Sequence, residues 1–221
     1  MTDAPTHDQS VEPDTGAIAL CDESMRHGVG PHGTYLLSSV IIRETDLPRV
    51  RERMMDLRMR GQRKKLHWRD ESAARRSLAA GGLAALHADV VIATWCGMVP
   101  AKQERARRKA LETLLLDLAR RSVRHAFFES RGPERDRADI TALAGLRRSG
   151  IVPSTLRVSH APGAEEPALW AADIAAGSYG AAVSGLPEYW TTALRGCKGT
   201  VLTCGACGRP HTPGEAATNS C

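Results

Sequence analysis

Read along the chain, the order of elements predicts a mixed α/β sheet with helices packed on it. Two observations carry this: a pair of apolar, β-branched runs near the start reads as adjacent strands, and after them helical periodicity alternates with short apolar runs. A third bounds the size, since 221 residues with 42% hydrophobic content fill one sizeable core, or one core with a small appendage.

Each element has its own warrant. Residues 1–15 are polar, include Pro5 and Pro13, and read as a disordered segment ahead of the domain. Residues 17–21 are apolar and lead into acidic, Gly-rich sequence, while 34–42 form an aliphatic, β-branched run, so the two read as neighbouring strands joined by Asp22 to Gly33. Leu47, Val50, Met54 and Leu57 recur at three- and four-residue spacings and predict a helix over 47–61 with Gly61 as its stop. A second helix is expected over 73–88 and a strand over 90–99. Pro100 opens the longest periodic stretch, in which Leu111, Leu114, Leu115 and Leu118 make one stripe and Arg105, Arg108, Glu112 and Arg120 take the other faces. A strand over 124–130, a helix over 139–148 and a short strand over 156–159 follow. Residues 165–184 read as an Ala-rich helix with Pro167 near its first turn and small residues suited to close packing. The domain is thus drawn over 16–196, and 197–221 is a Cys-rich C-terminal tail.

Composition excludes several classes. Charged residues make up 25%, and no apolar stretch approaches the roughly 18 residues of a membrane span, which argues against an integral membrane protein. The first sixteen residues carry Asp3, Asp8, Glu12 and Asp14 with no Lys or Arg, the reverse of a secretory leader, so a cytoplasmic location is expected. Cys21 and Cys96 lie in strand-like runs, where a thiol behaves as a small hydrophobe, and a secreted disulfide scaffold is not indicated. The net charge of +5 is unevenly spread: residues 47–76 hold eleven Lys/Arg against four Asp/Glu, and 101–150 hold thirteen against seven. Such a field suits a polyanion, and with aromatics at 4% any nucleic-acid contact would go mainly to the phosphate backbone. The plain alternative is a solvated, Arg-rich surface.

The chemistry lies in the placement of acids. Asp22 and Glu23 directly follow the first strand run, Glu129 follows Ala126-Phe127-Phe128 in the same way, and Asp173 sits inside a nearly uncharged helix. Carboxylates in such settings are costly unless paired, hydrogen-bonded or bound to a cation. Three of them at one sheet edge would form a hard oxygen site for Mg²⁺ or Mn²⁺ able to support phosphodiester hydrolysis. Against this stands the reading in which each acid caps a helix or pairs with an arginine. Glu23 could be a further ligand, but strand alternation sends neighbours to opposite faces and favours Asp22, on the face of Ile18 and Leu20.

Ala19-Leu20-Cys21-Asp22-Glu23-Ser24, then Leu66-His67-Trp68, then Trp170-Ala171-Ala172-Asp173-Ile174-Ala175-Ala176-Gly177 also resemble, in order and spacing, the three signature stretches of a bacterial family. It is the domain of unknown function numbered three thousand eight hundred. The resemblance spans 17–194 and implies a ribonuclease H-like mixed sheet of about five strands with flanking helices, carrying a metal-dependent acidic site. It supports Asp22 and Asp173 by motif position and Glu129 by its place at the end of a later strand. Met25 departs from the family's usual glycine after Asp-Glu-Ser, which bears on the shape of the first turn.

His67, in a strand-like Leu-His-Trp triplet, could shuttle a proton or position a phosphate; a hydrogen-bonded structural histidine is the alternative. Asp70 and Glu71 read as helix-capping acids before Ala73, and Glu134, Asp136 and Asp139 as a salt-bridged surface from which one acid could join the metal site. Gly28-Val29-Gly30-Pro31-His32-Gly33 matches a dinucleotide fingerprint by letter but leads into a strand rather than a helix, so it reads as a hairpin loop. No phosphate-loop, His-Glu-x-x-His or Gly-x-Ser-x-Gly motif occurs. In the tail, Cys204 and Cys207 form one C-x-x-C with His211 beyond, a zinc candidate that lacks a second knuckle; otherwise these are reducible thiols. The leading expectation is a divalent-metal-dependent nuclease or phosphodiesterase. The alternatives are a non-catalytic nucleic-acid or protein-binding module with the same fold, and a zinc-stabilised interaction protein.

Overall fold

The computed structural model describes residues 16–27, 33–59 and 65–204. The segment 1–15, most of the glycine string, Gly61, Cys207 and His211 lie outside the described residues.

The hairpin comes first. β1 (Ala17–His27) runs antiparallel to β2 (Gly33–Arg43) in unbroken register from Ala17↔Arg43 to His27↔Gly33. β1 therefore continues six residues past the expected end at Cys21, because β2 supplies a full ladder partner for the charged residues as well as the apolar ones. After a 3₁₀ turn, α1 (Leu47–Asp56) buries Val50 and Met54, and Met55 stays at the surface. α2 (Ala73–Ala84) is capped by Ser72, whose hydroxyl accepts from the Arg75 N–H at 3.4 Å, so the cap belongs to Ser72 and not to the Asp70 or Glu71 expected. β3 (Asp89–Met98) adds antiparallel to β2, and α3 (Gln103–Arg120) buries Leu111, Leu114, Leu115 and Leu118. β4 (His125–Glu129) returns parallel to β1. α4 (Pro133–Arg148) starts a turn and a half earlier than the apolar spacing predicts, since Pro133 suits the first helical position and Glu134 and Asp136 face the positive end of the dipole. β5 (Arg157–Ala161) pairs parallel to β4, and α5 (Trp170–Val183) follows a 3₁₀ turn that Glu166 caps by accepting from Ala168 N–H at 3.1 Å.

α6 (Glu188–Ala193) and β6 (Lys198–Thr203) are elements the sequence pattern left unassigned. β6 pairs parallel with β3, so the sheet has six strands in the order β5-β4-β1-β2-β3-β6, where about five were expected. The extra strand falls inside the segment read as tail. Six residues containing a glycine are too short to announce a strand by periodicity, and the open edge of β3 decides the matter.

Alternation along the strands splits the core in two. Ile18, Leu20, Leu36, Val40, Val90 and Ile92 pack against α1, α2, α5 and α6. Ala19, Cys21, Leu37, Val91 and Ala93 pack against α3 and α4 on the other face. Among the described residues no helix is long and apolar enough to cross a membrane.

Candidate metal centre

Asp22, midway along β1, stands beside Glu129, the last residue of the parallel strand β4, one step beyond their last registered pair, Cys21↔Phe128. Both take the sheet face on which α5 lies. Ser38, opposite Asp22 on β2, locks this arrangement: its buried hydroxyl lies 2.8 Å from the Ala172 carbonyl of α5 and 3.1 Å from the Asp22 carbonyl. Ala171, Ala172, Ala175 and Ala176 have little bulk, so α5 sits close on β1 and β2 and delivers Asp173, in its first turn, to the same face of the sheet.

Asp173 is 5% exposed. Its Oδ2 accepts the Trp68 backbone N–H at 2.7 Å and lies 3.1 Å from His67 Nδ1, so residues 66–68 form a strap over the helix. The strap is an irregular segment leading into a 3₁₀ turn (Trp68–Asp70) and not the short strand that Leu-His-Trp suggests. Leu66 and Trp68 anchor it, both 2% exposed. Gly177 makes the seat: a Cβ there would collide with the Trp68 indole. The bond to Asp173 pushes the His67 pKa up, against the opposing pull of partial burial.

Electrostatics show Asp173 and Glu129 acting on Asp22. The Asp22 carboxyl is held well above the ordinary carboxylate range, first by burial, then by repulsion from Asp173 and Glu129; the Glu23 N–H, 2.7 Å from Asp22 Oδ1, and the Lys65 ammonium pull the other way. Lys65, one residue before the strap, donates to Glu129 Oε1. Burial lowers its pKa, but that bond and the attraction of Glu129, Asp22 and Asp173 outweigh burial, and the net direction is up. Sequence reasoning passed over Lys65. Its one signal was position, as the second of two lysines abutting a motif.

Glu23 belongs to the opposite face. It accepts from the Tyr35 hydroxyl and from Arg107 Nε at 2.9 Å, and Arg131 Nε stands 3.5 Å away. Arg107 also holds Asp139 through both guanidinium ends, and His160 Nε2 lies 3.2 Å from Asp139 Oδ2. Asp139 is thus a buried ion-pair partner rather than a surface acid, and Asp136 receives Ser130 Oγ at 2.6 Å and Arg131 N–H at 3.0 Å. Neither reaches the carboxylate cluster.

The residues suit a hard divalent ion in kind. Three carboxylates from three elements are the oxygen donors that Mg²⁺ and Mn²⁺ take. Glu129 Oε2 is buried with no hydrogen-bond partner, a costly state that a cation would relieve. Gly163 keeps the clearance, since a Cβ at that residue would stand 2.7 Å from both carboxylate oxygens of Glu129. Among the described residues no three of His, Cys, Asp and Glu are gathered tightly enough to hold an ion as they stand. The cation now among these donors is the Lys65 ammonium.

Of the zinc candidates, Cys204 is described. It follows β6 and is 5% exposed in the core beside α3, where burial pushes its thiol pKa up.

No family model and no curated protein matches the chain. Among solved structures it is similar to the ribonuclease H2 of Pyrococcus horikoshii OT3, with 15% identity, a TM-score of 0.45, and coverage of 72% of this chain and 70% of that one. It is also similar to Bst-RNase HIII, solved in complex with Mn²⁺, with 12% identity, a TM-score of 0.42, and coverage of 83% of this chain; it spans about half, 54%, of that protein's length. Strand order, strand direction and the helices on both faces make the fold a six-stranded mixed α/β sheet with flanking helices.

Proposed function

We propose that this chain is a divalent-metal-dependent nuclease or related phosphodiesterase acting on nucleic acid through Asp22, Glu129 and Asp173. The observation that carries the reading is the meeting of these three acids where α5 lies over β1 and β4, with one buried oxygen, Glu129 Oε2, lacking a partner. The three stretches that resemble the domain-of-unknown-function family point the same way.

Asp22, Glu129 and Asp173 would hold the metal, which when bound stabilises the charge that builds on the phosphate in the transition state. The chain's own groups do the rest. The Trp68 N–H fixes Asp173 Oδ2, so that carboxylate meets its ligand without reorganising. His67, a third exposed and made more basic by its bond to Asp173, stands at the rim of the site as the group that would carry a proton to the leaving oxygen. Exposed Arg69, Arg105, Arg108, Arg135 and Arg137 offer charge for seating a phosphate backbone.

The test is cleavage of labelled RNA, DNA and RNA–DNA hybrid in Mg²⁺, Mn²⁺ or EDTA, with Asp22→Asn and Asp173→Asn alongside. Metal-dependent cleavage lost in both folded variants is the expected result. No cleavage in any lane, with wild type and variants binding nucleic acid equally, would replace this reading with the non-catalytic binding module.

A further inference from the structure

We infer that Lys65 permanently occupies one of the two cation positions that a carboxylate cluster of this kind offers, leaving room for a single divalent ion. This rests on the reading of Asp22, Glu129 and Asp173 as metal ligands and adds their stoichiometry. Two-metal phosphodiester sites place a positive charge on each side of the reacting phosphate, about 3.5–4 Å apart. Here one of those charges is built into the chain. Lys65 Nζ donates to Glu129 Oε1, while Oε2 of the same carboxylate is buried and unpartnered, so one side of Glu129 is satisfied and the other is open.

The placement is held from the C-terminal side of Lys65. Leu66 and Trp68 bury their side chains immediately after Lys65, and the Trp68 N–H is bonded to Asp173, so the strap that carries the ammonium is tied to a second acid of the same cluster. The Lys65 side chain is 26% exposed, sheltered enough for its charge to count. Three carboxylates less the Lys65 ammonium leave a deficit of two charges with His67 neutral and of one with His67 protonated, so a single divalent ion already balances the pocket. A second ion beside an unmoved Lys65 would turn a sheltered pocket into a net cation, which burial penalises. A lysine suits this place better than an arginine, because its ammonium is a compact point charge.

Mn²⁺ stoichiometry, measured by equilibrium dialysis and by electron paramagnetic resonance of the free ion, tests this on wild type, Lys65→Met, Lys65→Arg and Asp173→Asn, with folding checked by circular dichroism. One Mn²⁺ in wild type and in Lys65→Arg, and two in Lys65→Met, is expected. Two ions in wild type, or one in folded Lys65→Met, overturns the role of Lys65 and leaves the carboxylate reading standing, provided Asp173→Asn removes the ion. An unchanged Mn²⁺ count in Asp173→Asn would overturn the ligand assignment and this inference together.

Discussion

Asp22 and Glu23 are consecutive acids with opposite fates, because the pleat sends one toward α5 and the other toward α3. Glu23 is neutralised by Arg107 and Arg131, whereas Asp22 faces two like charges. Removing the Asp22 charge should therefore help the metal-free fold while removing the site. Asp22→Asn is expected to gain about 1 kcal/mol, or roughly 2–4 °C in melting temperature without metal, and to abolish Mn²⁺-dependent cleavage. Asp139 behaves in the opposite sense. Burial would raise its pKa, but bonds from His160 and Arg107 and the charges of Arg107 and Arg131 outweigh it, so the folded value lies below the ordinary one. A depressed carboxyl contributes stability that is complete above the unfolded value of about 4 and is lost as pH falls through the folded value. Urea midpoints measured down the acid limb should fall in wild type below about pH 4 and fall less steeply in Asp139→Asn. At neutral pH that variant should already be weaker by about 3 kcal/mol, since it strips the buried Arg107 of one partner.

The strap and α5 work as a pair. Residues 66–68 have no ladder of their own; they are held by the Leu66 and Trp68 side chains and by two bonds to Asp173. Trp68 fits only because residue 177 has no Cβ, and its ring also meets Tyr189 edge-on at 5.3 Å and carries Arg76 at 5.6 Å. Gly177→Ala should force the indole out of its seat at a cost of about 1–3 kcal/mol, and free the Trp68 N–H from Asp173. Amide hydrogen exchange at Trp68 should then speed up while exchange in β1 and β2 stays slow. Slow exchange at Trp68 in a folded Gly177→Ala protein would show that the strap is held from elsewhere. Gly163→Ala tests the neighbouring clearance: by displacing the Glu129 carboxylate it should weaken Mn²⁺ binding more than it lowers the melting temperature.

Across the whole molecule, the basic blocks are less free than their composition suggests. Arg51 pairs with Glu166, Arg75 with Glu71, Arg107 with Glu23 and Asp139, and Arg121 with Asp117 and Asp89. These arginines are engaged within the fold, and the remaining exposed ones are those that the proposed function leaves for a polyanion. Nucleic-acid binding should weaken linearly with log salt, and the Arg135→Ala and Arg137→Ala pair should flatten that slope by about two units without changing sequence preference. An unchanged slope would place the phosphate contacts on another face.

The hairpin, the central helices and α5 could be read from the sequence, because apolar spacing and turn chemistry are local. So could the face taken by Asp22, which follows from counting two residues at a time from Ile18 and Leu20. Long-range pairing was out of reach. β6 exists because β3 has an edge to offer, and β1 runs to His27 because β2 matches it residue for residue. The meeting of Asp22, Glu129, Asp173 and Lys65 depends on how closely an alanine-rich helix settles on two strands, and on a strap that no periodicity marks. Residue types and spacing determined that carboxylates would adjoin apolar runs; only tertiary packing decided which charges face one another, because electrostatic partners are set by distance in space and not along the chain.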